Sequence, residues 1–504
     1  MRRARRVSDS GLSASAFVSR ITRRAYVGAP TARPARVVPR GAPGAAAVVE
    51  ITGVRSVNVA RAPSLAGRAA SSVGRVSSPV TLAVVGAGSR GNAYARWALE
   101  HPDRARVVAV AEPRDVRRDR FAAEHQIPAE HAYPDWQSLA RRLAAGPPLV
   151  DAVLVCTQDR MHTEPVLEFL KHGLHVLVEK PLAPTETECR QLVGAAEAAG
   201  VLFAVGHVMR YTPYTQALKQ VVDDGVLGDI MSVQHLEPVG YWHQAHSYVR
   251  GNWRRADEST FMLLAKSCHD LDWLQYVLGE APTRVSSFGR LSHFTREHKP
   301  AGAADRCLDC SVEPDCPFSA KRFYFDRLVQ GDRGWPIDVL VDEFTADALG
   351  DALRHGPYGR CVYDCDNDVV DHQVVNMEYP SGATAVFTMT GFSRQGHRET
   401  KLFGTRGELT GDGEKLDVFD FLTDTHRIID TTTVGDASAA GGHGGGDAGL
   451  MDGFVSALET GDASRIASGP RDSLTSHLTV FAAERARLRG SVEPVSPPLE
   501  LIVG

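Results

Sequence analysis

No apolar run in this 504-residue chain is long enough to cross a bilayer as a helix, which argues against a membrane-spanning role. Residues 1–80 contain no lysine and only two acids, Asp9 and Glu50, against 14 arginines, so they carry +12. The total is −5, which leaves −17 on residues 81–504. So acidic a body argues against nucleic acid as partner. The Arg/Ala/Ser-rich segment 1–79 also lacks a sustained amphipathic period, and its composition predicts disorder. Arg23-Arg24 is followed by Pro30, Pro34 and Pro39 where an export signal would need an apolar stretch. A cytoplasmic location is therefore expected.

What the chain does have begins at residue 81. A short β-branched run, 81–85, stops at Gly86-Ala87-Gly88-Ser89-Arg90-Gly91, and a helical pattern follows. Strand, G-x-G-x-x-G and helix in that order make a dinucleotide-binding turn. The first Gly allows the tight turn, the second lets backbone approach a pyrophosphate, and the third packs helix on strand. Ser89 and Arg90 sit at the helix N-terminus, whose free N–H groups attract phosphate. A second strand, 107–111, ends at Glu112, about the ~20-residue distance at which a carboxylate meets the adenosine ribose. Such a carboxylate repels a 2′-phosphate and favours NAD over NADP, although Arg114 and Arg117 lie just beyond it.

Strand and helix patterns alternate from residue 80 to 208, predicting a doubly wound parallel sheet with ligands at the carboxyl ends of its strands. Thr157, Lys180 and His207 fall at those ends. From residue 209 to 504 the pattern predicts a second, α+β domain with a large, mostly antiparallel sheet.

GAGSRG, the acid at Glu112, CTQDRMH with His162, HVLVEKPLA, Arg210-Tyr211 and His269-Asp270-Leu271-Asp272 together resemble the Gfo/Idh/MocA oxidoreductases, the glucose–fructose oxidoreductase and inositol dehydrogenase type, across residues 80–490. The resemblance implies that Glu179-Lys180-Pro181 marks the active site, with Lys180 near both the nicotinamide ribose and the substrate hydroxyl. It implies that Thr157 and His162 belong to the cofactor side and Arg210 and Tyr211 to the substrate side. It also implies His269 as general base, with Asp272 one turn on. The family pattern places an Asp four residues before that His and a Gly two before it. This chain has Ala265 and Ser267 there, with Lys266 between them. Residues 259–278 read as one amphipathic helix, on which Lys266 would lower the pKa of His269. The loop from Gly240 to Arg250 is dense in aromatics and carries His243 and His246, which suits a sugar or cyclitol.

The expected activity is NAD-dependent hydride transfer to or from a secondary hydroxyl of a sugar, sugar derivative or cyclitol. An NAD-dependent glycosidase of the same fold and a non-catalytic NAD-binding sensor are the alternatives. The resemblance also implies that one face of this sheet is open, and closed pairing through it would give a dimer or tetramer. Residues 290–368 form an insertion holding five of the eight cysteines and little apolar periodicity. Cys307, Cys310 and Cys316, with Cys361 in preference to Cys365, are the expected ligands of a structural zinc. An iron–sulfur cluster is the next reading, and a reducing compartment disfavours disulfides.

Overall fold

A computed structural model of the chain describes residues 79–432 and 442–496. The Arg-rich extension lies outside these residues. Six short strands, β1 (Val80–Val85), β2 (Ala105–Ala111), β3 (Ala132–Tyr133), β4 (Ala152–Val155), β5 (His175–Val178) and β6 (Phe203–Val205), form a wholly parallel sheet in the order β3-β2-β1-β4-β5-β6. Helices cover both faces, so β4 is buried along its whole length and β1 at all but one position; that is why these strands read as unbroken apolar runs. Chain order reverses between β1 and β4, and the crevice at that switch point is where such sheets bind ligands.

The second sheet has nine strands in the order β14-β13-β12-β11-β7-β10-β9-β8-β15. These are β7 (Ile230–Pro238), β8 (Arg284–Arg290), β9 (His372–Glu378), β10 (Thr384–Thr390), β11 (Glu399–Gly404), β12 (Gly407–Gly411), β13 (Lys415–Asp420), β14 (Thr425–Asp430) and β15 (Val492–Pro494). All neighbours are antiparallel except β7 and β10. Buried and less buried residues alternate along β9 and β10, the signature of one packed face and one open face. The helix Pro470–Arg489 packs against β8, the helix Glu186–Ala199 and the helix Cys268–Leu278, and so ties the two sheets together.

Two elements differ from expectation. The single helix expected over 259–278 is broken into a short turn, Met262–Ala265, and the helix Cys268–Leu278. The insertion is more structured than its pattern suggested, with helices Ala320–Gln330 and Ala346–His355 burying Tyr324, Leu349 and Leu353. Among the described residues no helix is long and apolar enough to cross a membrane.

Candidate active site

The glycine turn behaves as its spacing demands. Gly86 has φ +95°, and a Cβ there would lie 2.6 Å from the Cys156 carbonyl oxygen. A Cβ on Gly91 would lie 2.1 Å from the Gly86 oxygen. Gly88 faces open space, and as N-cap of the helix Ser89–Glu100 it provides no side-chain cap. The turn thus leaves helix N–H groups uncovered on the side where a pyrophosphate approaches. Glu112 is buried beside it, its carboxylate accepting from the N–H groups of Ala87 at 2.9 Å and Arg114 at 3.0 Å.

Arg90 does not extend toward this space. Its guanidinium donates to Glu179 at 2.7 Å and to both oxygens of Asp447 at 2.9 and 2.7 Å. The Tyr94 hydroxyl donates to the same Glu179 oxygen at 2.5 Å. Burial alone would raise the Glu179 carboxyl pKa, but the charges of Arg90 and Lys180 outweigh it and hold it below the ordinary range. Arg90 therefore locks the glycine turn to the Glu179-Lys180-Pro181 segment. His162 does similar work, its buried ring spanning the carbonyls of Pro181 at 2.8 Å and Thr157 at 3.1 Å.

Lys180 leaves the end of β5 and donates from Nζ to the Ala265 carbonyl at 2.8 Å. That contact accounts for the broken helix. In a continuous helix the Ala265 carbonyl would accept from the residue-269 N–H. The break at Lys266-Ser267 leaves it to Lys180, and the buried His269 stands in the first turn of the helix that follows.

Behind His269 lies His207, ring centroids 6.0 Å apart, with His477 5.4 Å beyond. Among the described residues neither ring nitrogen of His207 has a hydrogen-bond partner, although Nδ1 lies 3.5 Å from the Asp272 carboxylate. Burial, followed by smaller effects from neighbouring charges, takes its pKa down to about 3, and burial takes that of His477 to about 4, so both are neutral at physiological pH. His207 was not among the expected site residues; its place at a strand end was the available signal.

Several expected substrate residues are engaged elsewhere. Arg210 and Asp272 form a bidentate ion pair at 2.7 and 2.6 Å, both almost fully buried, with Arg210 also donating to the Ala467 carbonyl. Tyr211 is hydrogen-bonded to Ser468 and lies under the helix Gly446–Thr460. His246 is wedged in the insertion, its Nδ1 2.5 Å from the Tyr324 hydroxyl and its ring stacked on Tyr358 at 4.8 Å. Burial takes its pKa down to about 3. Lys266 pairs with Glu237 at 3.1 Å, which also holds Arg398 at 2.9 Å, and Arg398 reaches Asp270 at 2.6 Å.

His243 packs among Trp242, Tyr248 and Trp335. Burial, then the charge of Lys266, with His246 and Lys180 adding to it, holds its pKa well below the ordinary value. The Lys266 charge therefore bears on His243. Over His243 lies Trp335 of the insertion, ring centroids 5.0 Å apart, half-exposed at 37%. No local signal marked Trp335. A few residues on, the Asp338 carbonyl accepts from Arg117 at 2.9 Å, and Asp342 lies 3.6 Å from the same guanidinium. Residues 335–342 therefore run from the loop that carries His243 to the helix Asp115–Glu124, which follows the Glu112 turn.

The expected zinc site is not formed. Among the described residues no three Cys, His, Asp or Glu side chains stand close enough together to hold a metal ion, and the insertion's cysteines are free thiols.

Comparison with known proteins agrees with this geometry. A 2,7-anhydro-N-acetylneuraminate hydratase of Escherichia coli K12 is 32% identical over 215 residues, 42% of this chain and 54% of that protein. An inositol 2-dehydrogenase of Burkholderia multivorans is 33% identical over 201 residues, 40% of this chain and 54% of that protein. The chain thus spans about half the length of these relatives. An inositol dehydrogenase homolog from Azotobacter vinelandii, solved with NAD+, shares the fold, with TM-score 0.60, 19% identity and 83% and 98% of the two chains covered. "Oxidoreductase family, NAD-binding Rossmann fold" matches residues 80–207, and "Oxidoreductase family, C-terminal alpha/beta domain" matches residues 219–431. The chain belongs to the Gfo/Idh/MocA family of oxidoreductases, with an NAD-binding Rossmann domain at residues 80–207.

Proposed function

We propose that this protein is an NAD-dependent dehydrogenase acting on a secondary hydroxyl of a sugar, sugar derivative or cyclitol. The observation that carries the reading is the Lys180 ammonium, held at the end of β5 by the Ala265 carbonyl, which closes the short turn just before the helix that carries His269. NAD, when bound, supplies the hydride acceptor. Gly86, Gly88 and Gly91 shape the pyrophosphate turn, and Glu112 is the ribose carboxylate. His269 takes the hydroxyl proton, and Lys180 stabilises the negative charge that develops on the oxygen. The Glu179–Arg90–Tyr94 cluster and His162 hold the Lys180 turn in place. The relatives named for inositol oxidation and for an anhydro-sugar support a polyhydroxylated substrate.

A net redox-neutral use of the site, of the kind an NAD-dependent glycosidase makes, is favoured by one observation. Ala265 presents a carbonyl where the family pattern has a carboxylate, which changes how the proton beside Lys180 is handled. Incubation with NAD and a panel of sugars and cyclitols separates the readings. NADH accumulation supports the dehydrogenase, and product release without net NADH supports the redox-neutral cycle. A protein that binds NAD and transforms no substrate is a sensor. In the same experiment NAD is expected to bind more tightly than NADP, because Glu112 is at hand and Arg117 is occupied by Asp338 and Asp342. Tighter NADP binding overturns that choice.

Trp335 is the apolar wall of the substrate site in this reading, its free face suited to the CH face of a sugar ring. Trp335→Ala is expected to raise KM on the order of tenfold with kcat little changed, the size of one lost aromatic contact. An unchanged KM removes Trp335 from the site. The assembly proposed is a closed dimer or tetramer paired through the outer face of the second sheet, where Phe288 of β8 is 65% exposed.

A further inference from the structure

The insertion closes on itself. Arg306 and Arg360 form an isolated antiparallel bridge, and the Cys361 N–H donates to the Asp305 carbonyl at 2.8 Å. Chain ends more than fifty residues apart are thereby brought together, with Cys307 beside Cys361. Cys310 and Cys316 return to the same place through two short helical turns, Cys307–Asp309 and Glu313–Asp315. All four sulfur-bearing residues line one cavity of about 20 Å³, room for a single water-sized species. Cys365, the fifth thiol of the insertion, lies outside that lining, and its sulfur donates to the Cys361 carbonyl at 3.2 Å.

The N–H of Phe318 is directed at the Cys316 sulfur and that of Tyr363 at the Cys361 sulfur, each from two residues along the chain. Arg250 and Arg306 line the same cavity, and Arg250 is 3% exposed with its Nη2 3.5 Å from the Cys307 sulfur. Glu313 also lines it, but its carboxylate accepts from the Ser319 hydroxyl and lies 3.8 Å from Lys321. Arg250 thus faces the thiols, while the Arg306 guanidinium is held by the Leu353 and Gly356 carbonyls, and a zinc ion held by four thiolates carries a double negative charge that Arg250 partly balances.

We infer that Cys307, Cys310, Cys316 and Cys361 are the ligands of a thiophilic divalent metal ion, Zn²⁺ by the chemistry of the donor set. The thiols surround the cavity without having closed on one another. Metal binding draws each to the ~2.3 Å of a zinc–sulfur bond and releases the thiol protons. Arg250 gives the site its consequence. Its guanidinium also donates to the Arg360 and Phe318 carbonyls, and it ends the π-helical turn Gln244–Arg250 that follows His243. The metal therefore rivets the insertion, with Trp335, to the substrate loop and leaves the dinucleotide turn untouched.

The test is elemental analysis of untagged full-length protein expressed in zinc-replete medium, with Co²⁺ titration of the chelator-treated protein. About one zinc per chain is expected, with a thiolate-to-cobalt charge-transfer band on titration. Both are lost in Cys307→Ser and in Cys316→Ser and kept in Cys365→Ser. Retained NAD binding shows that the variants are folded. Wild type without zinc and without the cobalt band overturns the inference, as does metal retained in both ligand variants. Iron with inorganic sulfide overturns the assignment to zinc, and metal lost in Cys365→Ser overturns Cys361 as fourth ligand. None of these readouts depends on turnover, so a failed dehydrogenase reading leaves the metal result standing.

Discussion

Replacing Lys180 with Met is expected to lower turnover by about 10²-fold or more while NAD affinity stays within a few-fold, the pattern of a lost transition-state donor. The side chain keeps its length and loses only the ammonium that now meets the Ala265 carbonyl at 2.8 Å. The cofactor turn does not depend on that ammonium. Glu179 keeps Arg90 and Tyr94, and Gly86 and Gly91 keep their close approaches to Cys156 and to each other. The loss should therefore appear in kcat at saturating substrate, with dinucleotide affinity measured separately by titration. Turnover equal to wild type would make Lys180 a surface lysine and remove the proposed mechanism.

The dinucleotide turn was readable because each glycine answers a local demand. A positive φ at Gly86 and a backbone oxygen 2.1 Å from any Cβ at Gly91 are constraints that spacing alone expresses. The parallel sheet was readable for a similar reason, since strands buried on both faces must be apolar throughout. The break at Lys266-Ser267 was hidden, because apolar spacing continues through it with neither Gly nor Pro. What ends the first turn is a lysine 85 residues earlier reaching for its last carbonyl. The fates of His246, Arg210 and Lys266 were hidden in the same way. A polar side chain shows its chemistry in the sequence but not its partner, and here the partners are Tyr324, Asp272 and Glu237. Residue type alone cannot separate a histidine that meets substrate from one buried against a tyrosine 78 positions away.

The Arg210–Asp272 pair carries the largest expected effect on stability. It joins the turn Val208–Tyr211, which follows β6, to the helix Cys268–Leu278 that holds His269. Arg210→Met strands a buried carboxylate, and breaking such a pair costs about 3–5 kcal/mol. The urea midpoint at pH 7 should fall accordingly. Acidity supplies the discriminating measurement. In the wild type, burial pushes the Asp272 carboxyl up, but Arg210 and then His207 pull it further down, so its pKa lies below the ordinary value. That contribution is present above the unfolded pKa of about 3.9 and is lost as pH falls through the lower, folded value. In the variant, burial dominates and the carboxyl pKa rises above about 3.9, so the folded state then binds the proton more tightly than the unfolded chain. The deficit against wild type should therefore shrink as pH falls from 7 toward 5. Proton uptake by His207, 3.5 Å from Asp272, would act in the same direction. Adding Asp272→Leu to Arg210→Met should recover most of the lost stability, since no buried charge then remains unpaired. A deficit that stays constant with pH and is untouched by the second substitution would mean that Arg210 contributes packing alone.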